Sequence, residues 1–444
     1  MRRTICSFLA FVFAYRPIFV QAKEHDSRQR LIVTTDLGGT DPDDTESMIH
    51  LLVCSNMVDI EGIISSQVWS DYPDRVGKIK EVVGQFCEAL PNLSIHAQGY
   101  PSASYLMSIV KQGQLKSNMD GVGEGKDSPG SEHIIACVDK ADRRPVWIAA
   151  WGGMNNVAQA LWKVSQTRTP EELRRFMSRI RIYDVLGQDD AGAWIAHYFP
   201  DILYIRNKSV YGWPLTDEWV REHIIGCPPL GKYYPMRQWA FEGDSPSFMF
   251  LLDNGLNAPN HIDYGGWGGR FSLQKEAGIR GMDFIKKSGK DEIQYGPYYM
   301  HPSAPEGIEA INRWQQHIWN DFAARMQWAG SDSYDLANHH PVAVVGGDHT
   351  RHIIFKKVKA GRAIRFDASK SSDPDGHPLS FKWSIYEAPS TYHGHVDIDG
   401  SNSAICTVHV PADPRGKTLH LILEVTDSGT PALTSYRRVV IQVK

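Results

Sequence analysis

The stretch Thr34–Met48, TTDLGGTDPDDTESM, follows the apolar run of RLIV and leads into a helix-like segment. It puts four aspartates and two glycines into the connection between a buried strand and a helix. Carboxylates crowded into one short loop repel one another unless solvent, hydrogen bonds or a cation compensates them. Glycines open backbone angles closed to other residues, and closely spaced carboxylates on such a segment are what a hard ion such as calcium needs. The same letters also suit a solvated turn in which Asp43 or Asp44 offsets the dipole of the following helix. The loop alone supports both readings.

Outward from this loop, residues 30 to 340 alternate short apolar strand candidates with helices, the pattern of an α/β layer architecture. VDIEGIISSQ, RPVWIAAW and RIRIYDVLG read as strands. In DRVGKIKEVVGQFCEAL, Val76, Ile79, Val83, Phe86 and Leu90 recur at helical spacing and form one apolar stripe. Thr169, Pro170 and Glu172 make a capping-box start for a helix that delivers the chain into RIRIYDV. Mostly parallel strands with helical crossovers follow. In such open sheets, ligands bind beyond the carboxyl ends of the strands, where the opening loop lies.

After about residue 341 the text changes to alternating apolar and polar residues with turn clusters at DPDGHP and DSGTP, the signature of a β-sandwich. The expected organisation is a secretory signal over residues 1–22, an α/β domain over 23–340 and an immunoglobulin-like β-sandwich over 341–444. The turn SSDPDG has the acidic character of a calcium loop, although a type I turn needs no ion.

The 444 residues, 42% apolar and 22% charged, are enough for at least two packed cores. A formal charge of -4 without long Lys/Arg runs argues against nucleic acid as a partner. MRRTICSFLAFVFAYRPIFVQA has the basic start, apolar run and small-residue end of a signal cleaved after Ala22, so the protein is expected to be secreted or periplasmic. Arg16 and Pro17 interrupt that run, and no other stretch is long enough to span a membrane. Beyond the signal, Cys54, Cys87, Cys137, Cys227 and Cys406 show no CxxC spacing, so neither a disulfide framework nor a zinc site is indicated, and Cys54 and Cys87, within apolar helical patterns, read as structural thiols. The 18 histidines contain no HExxH pattern, and no GxSxG elbow, P-loop or dinucleotide fingerprint occurs.

Further junctions repeat the strand-to-helix theme: RPVWIAAW runs into GGMNNVAQALW, IYDVLG into QDDAGAWIAHYFPD, and WAFEGDSPSFMFLLDNG sets an acidic turn before an apolar helix. With GGWGGR at residues 265–270 and the C-terminal β-sandwich, these segments resemble the inosine-uridine nucleoside hydrolase fold. They are more closely similar to the exported nucleoside-hydrolase-like family described as cellulose-binding. The resemblance implies a calcium site made by Asp36, Asp44, Asp244 and the carbonyl of Trp151. Asp36 would act as general base on a calcium-bound water. It further implies a sugar subsite with Asp43, Asn156, Asp189 and Asp190.

Departures from the parent pattern bear on the substrate. Asp43 and Asp44 stand seven and eight residues after Asp36, with Asp41 between. Gly243 occupies the position where some nucleoside hydrolases carry a histidine that protonates the leaving base, with Glu242 before it. An alcohol or sugar leaving group is therefore expected more than a purine or pyrimidine. Exposed aromatics hold sugar rings through their C–H faces, and Trp69 and Trp267 are the aromatics expected to do so, with Tyr211 and Trp213 also in loop-like text. Arg270 is expected to bind sugar hydroxyls or to anchor an acidic residue. The sandwich resembles PKD or cadherin-like modules.

The expectation is an exported hydrolase that cleaves a glycosidic bond of a carbohydrate substrate, with its oligomeric state open and a homodimer one of the forms considered. The alternatives are a non-catalytic binder of cellulose or other plant cell-wall polysaccharide, and a secreted nucleoside hydrolase.

Overall fold

A computed structural model describes residues 28–39, 41–68, 74–213, 215–277, 295–297, 299–413 and 415–444. The expected signal over 1–22 and Trp69 lie outside the described residues.

The apolar runs become the strands of one sheet: β1 (Arg30–Thr35), β2 (Asp59–Ser65), β3 (Val110–Lys111), β4 (Val146–Ala150), β5 (Ile180–Val185), β6 (Leu203–Asn207), β7 (Glu276–Ala277) and β8 (Tyr299–Pro302). Their order is β3-β2-β1-β4-β5-β6-β8-β7, and every pairing is parallel except β7 with β8. β1 is buried at all six positions because helices cover both faces, which is why Leu31, Ile32 and Val33 follow one another without polar alternation. On one face lie α1 (Asp43–Val53), α2 (Arg75–His96) and the helix Gln315–Gly330. Helices Pro129–Asp139, Asn155–Thr167 and Asp190–Tyr198 cover the other. The capping box of Thr169 and Glu172 forms as expected.

From β1 the strand order runs one way through β2 and β3, and the other way through β4, β5 and β6. The gap between the carboxyl ends of β1 and β4 is thus the switch point where open α/β sheets bind ligands. Two hydrogen bonds carry the pairing past the strand ends, from Ser66 N to the carbonyl of Thr35 and from Trp151 N to that of Thr34, both 2.8 Å. Asp36 is thereby fixed between the ends of β2 and β4.

The C-terminal domain comprises β9 (Ile354–Val358), β10 (Ala363–Asp367), β11 (Ser380–Ile385), β12 (Asp397–Asp399), β13 (Ile405–His409), β14 (Thr418–Thr426) and β15 (Thr434–Val443). They form two sheets, β10-β13-β12 and β11-β14-β15-β9, antiparallel apart from β9 with β15. β14 and β15 are buried on both faces. Leu419, Leu421, Leu423, Val439 and Ile441 point into the sandwich, whereas Ile422 and Tyr436 join the core of the α/β domain.

GGWGGR lies at this junction. Trp267 is 2% exposed and meets the Tyr436 ring edge-on at 6.2 Å. This corrects the expectation of a sugar platform: flanking glycines let the second domain approach closely rather than leaving the indole open. Arg438 crosses from β15, is fully buried, and donates to the carbonyls of Leu256 (2.9 Å), Tyr264 (3.1 Å) and Gly265 (2.8 Å).

Removing Arg438 strands three buried acceptors, at about 1–3 kcal/mol each. Arg438→Met is therefore expected to split thermal unfolding of the two domains into separate calorimetric transitions, the first at lower temperature than the wild-type melt. An unaltered melt contradicts this role.

Candidate functional site

Two segments build the acid cluster, the connection from β1 to α1 and the loop before the helix Ser245–Met249. Asp36 follows β1, Asp43 and Asp44 open α1, and Asp244 precedes the helix Ser245–Met249. All four are nearly buried, between 2% and 7% exposed. Carboxylate oxygens of Asp43, Asp44 and Asp244 lie within 4.8 Å of one another. Asp36 tucks its carboxylate against Gly152, where an added Cβ would stand 2.5 Å from Oδ1, so the first glycine after β4 is required by this approach.

Hydrogen bonds satisfy only part of the cluster. Thr35 Oγ1 donates to Asp44 Oδ1 in a short contact, the Asp44 N–H donates to Asp43 Oδ1 at 3.0 Å, and the Tyr211 hydroxyl reaches Asp43 Oδ2 at 3.3 Å. Oδ2 of Asp244 and Oδ1 of Asp41 are buried with no hydrogen-bond partner. The Arg75 guanidinium holds the carbonyls of Asp36 and Leu37, and its Nε donates to Gln67 at 2.7 Å.

The electrostatics follow. Burial pushes the Asp36 carboxyl up to about 6 against the pull of Arg75. Burial, then Asp41 and Asp36, push Asp43 to about 7. Burial and the neighbouring aspartates raise Asp44 and Asp244 well above the ordinary carboxylate range. Two like charges 4 Å apart repel by about 4 kcal/mol at an effective dielectric near 20. A helix N-terminus offsets only about 0.3–1 kcal/mol per charge. The dipole of α1 is too weak to hold these groups ionised together, so either protons neutralise some of them or a cation balances their charge. All-oxygen donors with two orphaned carboxylate oxygens fit a hard divalent cation such as calcium.

A second layer supports the cluster from below. Glu242 accepts from Tyr234 (2.8 Å) and Ser245 (2.7 Å) and pairs with His50 Nδ1 at 2.6 Å. Its N–H donates to Glu46 at 2.7 Å. Burial disfavours charge on His50, but Glu242 outweighs it and pushes the imidazole up to about 10. Burial pushes Glu46 to about 9. His50, Glu46 and Arg75 were not among the sequence-predicted residues. Their text, inside amphipathic helices, carries no signal apart from buried polar positions.

The remaining sequence-predicted residues are engaged elsewhere. Asn156 accepts from Gln114 N (2.8 Å) and donates to the Ser65 carbonyl (2.9 Å), stitching loops together. Asp189 caps the helix Asp190–Tyr198 and accepts from Met154 N at 3.0 Å. Asp190 accepts from Met119 N at 2.9 Å. Arg270 forms a two-pronged pair with Glu306, the anchoring role rather than the sugar role. The Trp151 carbonyl accepts from Gln188 at 2.6 Å, which leaves it one lone pair, and its indole donates to Ser247 at 2.7 Å. Tyr211, 40% exposed, is the aromatic that does reach the cluster. Its ring lies where any side chain at position 243 would go, which explains Gly243.

A carboxyl raised in the folded chain binds its proton more tightly there than when unfolded. Its stabilising contribution is present at low pH and is lost as pH rises through about 6 to 7. Chelated protein is therefore expected to melt at a lower temperature at about pH 8 than at about pH 5. Asp244→Asn should flatten that slope and stabilise the chelated chain at the higher pH by on the order of 1 kcal/mol. An Asp244→Asn chain with the wild-type slope contradicts the assignment.

The model of the family described as cellulose-binding Sde182, nucleoside hydrolase-like domain, matches residues 30–271. That of the cellulose-binding protein Sde0182 C-terminal domain matches residues 363–443. A solved nucleoside hydrolase-related hypothetical protein from Saccharophagus degradans, described as associated with carbohydrate metabolism, is 45% identical. It overlays with a TM-score of 0.89, covering 94% of this chain and 100% of that one. A plant nucleoside hydrolase, PpNRh1, is 12% identical with a TM-score of 0.37, covering 66% of this chain and 98% of that one. The PKD domain of the KIAA 1837 protein is 22% identical with a TM-score of 0.16, covering 20% of this chain and 82% of that one. At such TM-scores these last two overlays decide nothing. No curated protein matches the chain.

Proposed function

Because the chain belongs to the nucleoside hydrolase-like family of the cellulose-binding protein Sde182, we propose that it is an exported hydrolase that cleaves a glycosidic bond of a carbohydrate at the acid cluster. The observation that carries this reading is the convergence of Asp43, Asp44 and Asp244 within 4.8 Å, beside Asp36, with an orphaned oxygen on Asp244. A surface that only adsorbs a polymer has no need of such a repulsive arrangement.

Asp44 and Asp244 would hold the cation together with Asp43, whose oxygen shares their space, or with Asp36 beside it, and the Trp151 carbonyl is able to contribute its free lone pair. When bound, a divalent cation supplies Lewis acidity and an anchor for sugar hydroxyls. Asp36 takes the proton of the attacking water as general base. The surrounding carboxylates favour the positive charge that develops on the sugar ring in an oxocarbenium-like transition state. Arg75 fixes the backbone of Asp36 and Leu37, so the base is aimed by its carbonyls rather than by its carboxylate. Tyr211 offers an exposed aromatic face next to Asp43 for a sugar ring.

One observation favours the second reading, a saccharide binder without hydrolysis. Gly243 leaves no imidazole to protonate a leaving group, and the Tyr211 ring occupies its space. The two readings separate in one experiment. The mature chain with calcium is incubated with cello-oligosaccharides, aryl glycosides, inosine and uridine, beside Asp36→Asn. Glycoside cleavage that falls about 10²–10⁴-fold in Asp36→Asn is expected. Saccharide binding without product, equal in both proteins, overturns hydrolysis in favour of binding. Faster cleavage of inosine or uridine assigns a nucleosidase instead.

A further inference from the structure

The C-terminal domain carries a second group of metal-ligating side chains, independent of the acid cluster. It lies in the turn Asp373–His377, DPDGH, between β10 and β11. Carboxylate oxygens of Asp373 and Asp375 and a ring nitrogen of His377 lie within 4.8 Å of one another. The Asp373 side chain is 1% exposed. Its Oδ1 accepts from the N–H groups of Asp375 (3.0 Å) and His377 (2.9 Å), which is all the turn itself requires. Its Oδ2 is buried without a hydrogen-bond partner, and so is Nδ1 of His377, 3.6 Å from the other Asp373 oxygen.

Each unmatched buried group costs about 1–3 kcal/mol. A protein that strands an acceptor oxygen and an imidazole nitrogen side by side leaves both open to one cation. Asp375 is held from outside the turn: His339 donates its backbone N–H at 2.7 Å and sets its Nδ1 2.9 Å from the carboxylate. That is the arrangement in which an outer histidine orients a ligating carboxylate. The His377 side chain is 37% exposed, which leaves an entry path and room for water to complete the coordination. Imidazole beside two carboxylates suits a borderline ion such as zinc, whereas calcium takes oxygen donors.

We propose that Asp373, Asp375 and His377 form a divalent metal site of the zinc class, positioned by His339 against the segment that leads into the β-sandwich. The metal would pin the β10–β11 turn to that segment and so stiffen the join between the domains.

The test titrates zinc into the untagged full chain after chelation and compares wild type with His377→Gln, Asp373→Asn and Asp44→Asn. The expected result is a zinc isotherm that Asp44→Asn retains and that His377→Gln and Asp373→Asn each weaken about tenfold or more, the low end of what loss of even an outer-shell partner costs. Zinc should also raise the melting temperature of wild type but not of His377→Gln, whose half-exposed side chain can change without unfolding the domain. Identical zinc isotherms for wild type and both turn variants overturn the site. So does zinc binding that Asp44→Asn abolishes, or a site that takes calcium and ignores zinc.

Discussion

The mutual repulsion of Asp36, Asp43, Asp44 and Asp244 is the constraint around which the α/β domain is arranged. Three carboxylates whose oxygens share a space 4.8 Å across, with a fourth against Gly152, cannot all stay ionised on hydrogen bonds alone. The sheet brings them together because β1 and β4 are neighbours at the point where strand order reverses. Asp244 arrives from some two hundred residues away because the helix Ser245–Met249 packs its apolar side into the same core as α1. Burial, which supplies the folding energy, also makes the charges costly. The same packing that forms the cluster therefore creates its need for protons or a counterion.

The layer beneath is built to resist the motion this repulsion would otherwise drive. His50 stacks on Phe322 at 3.9 Å and pairs with Glu242, so an element of the helix Gln315–Gly330, α1 and the loop before Asp244 are locked by one imidazole. Ser245 bonds to both Ser47 and Glu242, tying the start of the late helix to α1. Buried polar networks rigidify a fold where their members are paired, and here each hydrogen bond places one of the acid-bearing segments, with Oε1 of Glu46 left without a partner. Relaxation of the aspartates away from one another is thereby opposed, which keeps the donors preorganised.

Much of this was legible. The strand-to-helix junctions announced themselves through apolar runs ending in glycine and acidic clusters, and the loops at Asp36, Trp151 and Asp244 do meet. What was not legible depends on contacts made far along the chain. Trp267 sits among glycines, which in local text suggests an open loop, yet β15 covers it 169 residues later. Arg270 finds Glu306, and the amide of Asn156 is consumed by Gln114 and Ser65, partners that no periodicity reveals. Arg438 reads as one polar position of an alternating strand, while in the fold it crosses into the other domain. β14 and β15 show why: a strand buried on both faces by two different domains can carry polar residues toward whichever partner offers carbonyls.

The central claim, that the acid cluster is a cation site, is tested most directly by calorimetric titration of calcium into the chelated protein and its Asp244→Asn variant. The account predicts saturable binding to wild type that is lost in the variant while the fold persists. No calcium binding to wild type, or identical isotherms for the two proteins, would contradict it and leave the four aspartates as protonated structural groups.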